Sequence, residues 1–88
     1  MEEALQRLDK WLWFARLAKS RTLAARLVED GHVRVNRVKA EKPAVTVKPG
    51  DVLTLSLGLQ IRVLRITAPG TRRGPAAEAR GLYEDVTD

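Results

Sequence analysis

The fold of this chain is decided by three short runs of sequence, RLDKWLW at residues 7–13, KSR at 19–21 and GHVRVN at 31–36. In the first run, apolar residues recur with the i, i+3, i+4, i+7 spacing of a helix that buries one face. They are Leu8, Trp11, Leu12 and Ala15, and Leu5 extends the same face by one turn. We therefore expect a first amphipathic helix over this run.

The second run supplies the start of a second helix. Ser20 is suited to the N-cap because its hydroxyl can accept a hydrogen bond from a free backbone N–H of the first turn. Gly31 is suited to the left-handed residue that ends a helix. The apolar side between them is formed by Leu23, Ala24, Leu27 and Val28. Since only a few residues link the two helices, we expect a compact helix-turn-helix pair.

The third run opens a region of strands and turns. Val33 and Val35 alternate with polar residues, which is the pattern of a half-buried strand. Asn36–Arg37 follows directly and is predicted to be a turn. Pro49–Gly50 predicts a type II turn, because proline suits its first central position and glycine the position of positive φ.

The last part of the chain is less regular. Residues 52–57 and 59–66 predict two longer strands, and residues 68–75 predict a loop because they are rich in glycine and proline. Residues 76–83 predict a short helix, and we expect the acidic end after it to be loose. We therefore divide the chain into a domain at residues 1–66 and a C-terminal loop with a short helical tail at 67–88.

Composition limits the class of protein. A chain of 88 residues forms one small domain, which buries only about 60–65% of its unfolded surface, so a deep enzyme pocket is not expected. The chain has no cysteine and one histidine, so it offers neither a disulfide framework nor a thiolate metal site. The acidic N-terminus lacks the layout of a signal peptide. We expect a cytoplasmic monomer without metal or cofactor.

No catalytic pattern stands out in the chain. It contains no P-loop, no GxGxxG and no HExxH, and His32 has no nucleophile beside it. The acidic residues fall at caps, turns and helix ends. Asp51 is expected to brace the turn before it, and Asp9 to pair with a nearby Arg or Lys. We therefore do not expect an enzyme.

Positive charge is concentrated in the first half of the chain. The net charge is +5, and residues 1–50 hold 11 of the 16 Lys and Arg but only 6 of the 11 Asp and Glu. All of the net charge therefore lies there, while residues 51–88 are balanced. An uneven distribution of this kind is typical of proteins that bind a polyanion such as RNA or DNA.

The candidate binding residues surround the predicted helix pair and the first strand. Arg7 and Lys10 are expected one turn apart on the first helix, and three more cations bracket the junction between the helices. A phosphate near Ser20 would meet the N-terminus of the second helix as well as these cations. Any one of these residues could equally be a solvated surface residue, but as a set they favour binding. The candidates for RNA binding are Arg7, Lys10, Arg16, Lys19, Ser20, Arg21, Asn36, Arg37, Lys39 and Lys42.

The two tryptophans of the first run have different expected roles. Trp11 falls on the apolar face and is predicted to lie in the core. Trp13 falls roughly opposite, where it could stack on a base. The alternative, which we favour, is that the C-terminal segment covers Trp13 with Leu82 and Tyr83.

The order of these residues resembles a known family. The matching positions are Arg7-Leu8-Asp9-Lys10, Ser20-Arg21, Ala24, Leu27-Val28, Gly31, Val33-Arg34-Val35-Asn36, Lys42-Pro43 and Gly50-Asp51. They resemble the RNA-binding domain named after ribosomal protein S4, over roughly residues 7 to 55. The runs at 7–13, 73–79 and 82–84 are similar to those of a small heat-shock branch of this family that associates with the bacterial ribosome.

The resemblance implies both a fold and a function. It implies an α+β fold in which a two-helix hairpin packs on a small, mostly antiparallel sheet, with RNA held by the hairpin and the adjacent strand. It further implies binding to ribosomal RNA of the large subunit, and a role in recycling or rescue of subunits that still hold a nascent chain on tRNA. Two positions depart from the family pattern, Arg37 where glycine is frequent and Ala44 where serine is frequent.

Two other functions remain open from the residues alone. The helix pair could belong to a DNA-binding regulator, although the exposed face of the second helix offers few side chains that read bases: Thr22, Ala25, Arg26 and Glu29. The chain could also be an accessory protein that binds an acidic protein partner. In the tail, Arg72, Arg73 and Arg80 are the candidates for a further RNA contact.

Overall fold

Two helices at the start of the chain pack on one face of a β-sheet built by the rest of it. The computed structural model describes residues 5–87. The elements in chain order are β1 Gln6–Arg7, α1 Leu8–Phe14, α2 Arg21–Glu29, β2 Val33–Val35, β3 Val38–Lys39, β4 Thr46–Val47, β5 Val52–Leu57, β6 Gln60–Ile66, α3 Ala76–Ala79, a 3-10 helix Arg80–Leu82 and β7 Tyr83–Asp85.

The main sheet has five strands in the order β3-β2-β5-β6-β7, and every pair is antiparallel. The register places Leu53 opposite Leu64 and Val33 opposite Leu55, so apolar side chains share one face. β1 and β4 form a separate antiparallel pair beside the start of α1. The α+β fold expected from the sequence, a helical hairpin on an antiparallel sheet with a short C-terminal helix, is confirmed.

The core lies between the helical hairpin and this apolar face. Trp11 and Leu12 are fully buried and belong to the same cluster as Leu53, Leu55 and Leu64. Each such side chain contributes about 1.5–3 kcal/mol through burial. Trp11 is therefore a core residue as predicted.

The first helix begins later than the apolar spacing predicts. Leu5 is 60% exposed and does not extend the helix. Arg7 has extended backbone angles, φ −61° and ψ 138°, and stands at the N-cap, because residues 6–7 pair with β4. The expectation that Arg7 and Lys10 lie one turn apart on the helix is therefore wrong: strand pairing takes precedence over the helical pattern here.

The caps of the second helix are confirmed. Ser20 Oγ accepts a hydrogen bond from the Leu23 N–H at 3.1 Å. Gly31 follows the helix with φ 80°, and its N–H and that of His32 bond back to the carbonyls of Val28 and Leu27 at 3.0 and 2.9 Å. Leu23, predicted on the apolar side, is 43% exposed because it lies at the margin of the buried face.

Both predicted turns are present. Asn36 and Arg37 have φ of 50° and 74°, so the turn between β2 and β3 has the two left-handed residues of type I′. At Pro49–Gly50 the glycine has φ 97°, and the Asp51 N–H bonds to the Lys48 carbonyl at 3.1 Å. These are the features of a type II turn.

The C-terminal segment is more ordered than the sequence predicts. The helix predicted over 76–83 is divided into α3 and a 3-10 helix, and Tyr83 begins a strand. The expectation of a loose end after residue 83 is wrong for residues 84–87, because β7 pairs with β6 and both Val86 and Thr87 are hydrogen-bonded to the Val63 backbone. Asp88 lies outside the described residues. The division after residue 66 stays a prediction, although β7 belongs to the same sheet as β2 and β5.

Candidate nucleic-acid interface

The link between the two helices is built around Arg16. Its φ is 60°, and the N–H groups of Arg16 and Leu17 bond back to the carbonyls of Trp13 and Leu12, which ends α1 in a Schellman motif. A non-glycine residue in this conformation costs about 1–2 kcal/mol. The Arg16 side chain donates from Nε to the Gly74 carbonyl at 2.7 Å, so this exposed candidate also fastens the C-terminal loop to the hairpin.

Two candidate arginines meet at one buried carboxylate. The Asp9 side chain is 5% exposed, whereas those of Arg7 and Arg21 are 49% and 43% exposed. Arg7 donates from Nε and Nη2 to the two Asp9 oxygens at 3.2 and 3.1 Å. Arg21 Nε lies 3.6 Å from Asp9 Oδ2. The prediction that Asp9 pairs with a nearby cation is confirmed, and the pairing brings Arg7 of β1 beside Arg21 of α2.

The remaining candidates of the hairpin lie near these arginines along the chain. Ser20 caps α2, so its hydroxyl is engaged with the helix backbone. Lys19 is exposed on the loop just before it. The Lys10 side chain is half-buried, and its ammonium lies 5.6 Å from the centre of the Phe14 ring, one turn further along α1. The first N–H groups of α2 have no intrahelical partner, and this favours an anion nearby.

A second group of candidates lies at the turn between β2 and β3. Asn36 donates from Nδ2 to Asp51 Oδ1 at 3.1 Å and accepts from the Val52 N–H at 2.9 Å. Its side chain is thus held in the fold. Arg37 is exposed at the same turn. Lys48 lies beside it, with Nζ 2.9 Å from Asp51 Oδ1, and is a cation that the candidate set missed.

Asp51 is the centre of this second group, as predicted from its place after the turn. It accepts hydrogen bonds from the Lys48 N–H, the Lys48 ammonium and Asn36. Burial alone would raise the pKa of the Asp51 carboxyl, but the hydrogen bonds from Lys48 and Asn36 outweigh it and lower that pKa below its ordinary value of 3.8. The group is therefore ionised at neutral pH.

Lys39 and Lys42 form a third group. Both are exposed, and they line the same open cavity of about 400 Å³ together with Ala44 and Val45. The segment after Lys42 is fastened to the start of α1, because the Leu8 N–H bonds to the Val45 carbonyl at 2.8 Å. The third group is thus joined through the backbone to the Arg7–Asp9 region.

Trp13 is half-buried, but the residues that cover it are not those expected. Its ring stacks on Phe14 with a centroid distance of 5.4 Å, and the Arg73 guanidinium lies 6.0 Å from its centre. Tyr83 instead meets Trp11 edge to face, at 6.3 Å. The C-terminal segment does cover Trp13, although through Arg73, because the strand at Tyr83 directs that ring to the core.

The tail arginines are engaged within the fold. Arg73 donates to the carbonyls of Trp13 and Ala18 at 3.3 and 3.4 Å. Arg72 pairs with Glu78 at 2.9 Å. Arg80 is exposed, and within residues 5–87 its side chain has no hydrogen bond or ion pair.

Within residues 5–87 no three His, Cys, Asp or Glu side chains are grouped to hold a metal ion. None of the helices in the described part of the chain has the length and apolarity needed to cross a bilayer.

Comparison with known proteins identifies the family. The S4 domain model matches residues 6–53. Heat shock protein 15 of Escherichia coli is 42% identical over 82 residues, which cover 93% of this chain and 61% of that protein. The RQC P-site tRNA stabilizing factor of Bacillus subtilis is 40% identical over 60 residues, which cover 68% of this chain and 69% of that protein.

A solved structure gives the same result for the fold. The trimeric structure of Vibrio cholerae heat shock protein 15 superposes with a TM-score of 0.88 and 40% identity, covering 94% of this chain and 83% of that one. The chain belongs to the S4 domain family, and its resemblance to the small heat-shock branch is confirmed. It spans about three fifths of the length of the Escherichia coli relative.

Proposed function

We propose that this protein binds ribosomal RNA of the large ribosomal subunit, and that it acts in recycling or rescue of subunits that carry a nascent chain on tRNA. The observation that carries the proposal is the placement of exposed cations around the hairpin of an S4 domain. Arg7 and Arg21 share one carboxylate, and Lys10 and Lys19 flank them along the chain. The names of the relatives, a heat shock protein and a P-site tRNA stabilizing factor, agree with this role.

The proposed contacts are those predicted from the sequence, with roles that the geometry makes more specific. The residues that would bind phosphates are the exposed Arg7, Lys19, Arg21, Arg37, Lys39 and Lys42 together with the half-buried Lys10. Arginine binds phosphate oxygens with two parallel N–H groups, whereas lysine contributes a point charge. Arg16, Ser20 and Asn36 have partners within the fold, so we assign them mainly to holding the interface in shape.

The protein would recognise its RNA by the shape of the RNA and by the charge of the RNA backbone. Double-stranded RNA hides its major groove and is read chiefly through phosphates and 2′-hydroxyl groups. Affinity should therefore fall steeply with salt, by about 0.7–0.9 log units per log unit of salt for each phosphate that the protein neutralises. Binding of this kind needs no catalytic group, so we propose a binding protein and not an enzyme.

The first experiment is sedimentation of the purified protein with bacterial large ribosomal subunits through sucrose gradients at low and high salt. We expect co-migration with the large subunit that is lost at high salt. Duplex DNA and structured RNA are added as competitors, and we expect the RNA to displace the protein more effectively. Migration at the top of every gradient would contradict ribosome binding, and stronger competition by DNA would favour the regulator.

Arg21→Ala should weaken binding to the large subunit by about 10- to 100-fold, because one charge-assisted contact contributes about 1.5–3 kcal/mol. The variant should still fold, since Arg7 keeps both of its hydrogen bonds to Asp9. Affinity is measured at several salt concentrations, and folding by circular dichroism. Unchanged affinity with an unchanged salt slope would remove Arg21 from the interface.

Location and assembly follow from the same proposal. A bacterial protein that acts on ribosomes works in the cytoplasm, which agrees with the P-site tRNA named for one of its relatives. The expected monomer is not supported by the Vibrio cholerae relative, whose structure is trimeric. Sedimentation velocity over a range of protein concentrations distinguishes the two states.

A further inference from the structure

Asp9 is a buried acid in the middle of a basic surface. Its side chain is 5% exposed, and its neighbours Arg7 and Arg21 are both proposed phosphate contacts. A negative charge at this place opposes the approach of a polyanion, and burying a carboxylate is costly unless it is paired and hydrogen-bonded. If Asp9 belongs to an RNA-binding surface, it must favour binding in another way by more than its charge opposes it.

The contacts of Asp9 show how it organises its surroundings. Oδ1 accepts from the Lys10 N–H at 2.8 Å as well as from Arg7 Nε, so the carboxylate is fixed to the first turn of α1. The Asp9 N–H bonds to the Pro43 carbonyl at 3.1 Å, which fixes its backbone as well. Oδ2 faces Arg7 Nη2 and Arg21 Nε. The carboxylate is thus hydrogen-bonded to Arg7 and to the helix backbone, and it is ion-paired with Arg21.

The two guanidinium groups keep donors for a ligand. Arginine has five N–H donors, and Arg7 uses two of them on Asp9. Among residues 5–87 the Arg7 guanidinium makes no further hydrogen bond and that of Arg21 makes only the ion pair with Asp9, and both side chains are more than two fifths exposed. Arginines ordered in advance lose less side-chain entropy on binding than mobile ones do.

We propose that Asp9 is the positioning residue of a single-phosphate site formed by Arg7 and Arg21, and that its ligand is one phosphate of an RNA backbone. Asp9 does not touch the phosphate. Asp9 holds the two guanidinium groups side by side, so that their outer N–H groups can bind the same phosphate. This inference rests on the proposed function and specifies one element of that interface.

The test is Asp9→Asn, because positioning and simple charge predict opposite signs. The substitution keeps the shape of the side chain and makes the surface more positive by one charge, so charge alone predicts tighter binding. If Asp9 acts by positioning, binding should be about tenfold weaker, since two rotamer-rich side chains must then be ordered on binding. The slope of log affinity against log salt concentration should also become shallower by about 0.7–0.9, which corresponds to the loss of one phosphate contact.

The probes are purified large ribosomal subunits and a fluorescein-labelled RNA hairpin, each titrated at several salt concentrations. Glu29→Gln is the matched control, because it removes an exposed acid at the end of α2 and should leave binding equal or tighter. Folding is checked by thermal unfolding. Arg7→Lys keeps the charge but loses the paired hydrogen bonds to Asp9, so it should weaken binding even if Asp9→Asn does not fold.

A double-mutant cycle completes the test. Arg21→Gln should weaken binding less in the Asp9→Asn protein than in the wild type, because the site is already disordered. Equal or tighter binding by a folded Asp9→Asn protein, or by Arg7→Lys, would overturn the positioning role while leaving RNA binding intact. Failure of the wild type to bind either probe would instead overturn the proposed function itself.

Discussion

Single residues in left-handed conformations shape the ends of this hairpin. Gly31 ends α2 with φ 80°, and Arg16 ends α1 with φ 60°. Glycine adopts this conformation without cost, whereas a residue with a Cβ does not. Arg16 is present despite that cost, and its side chain secures the Gly74 carbonyl at 2.7 Å. Both helices thus end at a left-handed residue, but only at Arg16 does the side chain of that residue also hold the C-terminal loop.

Gly31→Val should lower the free energy of unfolding by about 1–3 kcal/mol, because a β-branched residue is strained at this φ. A Cβ at this position would also lie 2.7 Å from Lys39 Cε, so the lysine would have to move. Urea unfolding followed by circular dichroism measures the change. Gly81→Ala is the control, since a Cβ there meets nothing within 4 Å. Equal stability of Gly31→Val and wild type would contradict the helix end described here.

At the level of elements, Asp51 connects two turns that are far apart in the sequence. It braces the turn before β5 through Lys48 and the turn after β2 through Asn36. Because Asn36 also accepts from the Val52 N–H, the two turns are fixed relative to each other. The exposed Arg37 and the half-buried Lys48 are placed by this arrangement.

Asp51→Asn should lower stability at neutral pH by about 1–2 kcal/mol, as expected for weakened hydrogen bonds to a charged group. The folded pKa of Asp51 lies below its ordinary value of 3.8, so its stabilising effect is present above that pH and is lost as pH falls through the folded pKa. The difference between the two proteins should therefore shrink below pH 3.8.

Urea midpoints measured between pH 7 and pH 2 follow this change. Asp85 responds in the same direction, since hydrogen bonds from Thr87 and Arg62 lower its pKa to about 2. It is present in both proteins, so it does not contribute to their difference. A difference that stays constant over the whole range would show that the charge of Asp51 adds nothing to stability.

At the level of the whole molecule, the C-terminal segment contacts the hairpin at several points. The Trp11 indole N–H donates to the Ala68 carbonyl at 3.0 Å. Gln6 exchanges two hydrogen bonds with the Gly70 backbone, at 2.8 and 2.9 Å. Arg73 donates to the Trp13 and Ala18 carbonyls, and β7 covers the edge of β6. The hydrogen bonds to Gln6, Trp11, Trp13 and Ala18 join residues that are more than 50 positions apart.

Truncation after residue 66 tests whether the predicted domain folds alone. We expect a strongly destabilised protein, because the buried Trp11 N–H loses its partner, at about 1–3 kcal/mol, and the other contacts are lost with it. The total free energy of unfolding of a small domain is only about 5–15 kcal/mol. Thermal unfolding and amide exchange measure the effect. A truncated chain with the wild-type melting temperature would support the boundary at residue 66.

The sequence by itself determined the local structure. The apolar spacing of residues 8–15, the cap at Ser20, the alternation at 33–35 and the turn at Pro49–Gly50 each depend on interactions within a few residues. They were predictable for that reason. The family resemblance supplied the arrangement of hairpin and sheet, and it was confirmed by the comparisons. The ten candidate RNA contacts stay predictions.

The tertiary structure decided everything that depends on distant segments meeting. Strand pairing with β4 took Arg7 out of the helix, and pairing with β6 turned the acidic end into a strand. Asp9 joined Arg7 to Arg21, and Arg73 came to cover Trp13. Such contacts form only in the folded protein. Burial and hydrogen bonding across the whole chain decide which distant segments pack together, and short-range sequence patterns do not specify this.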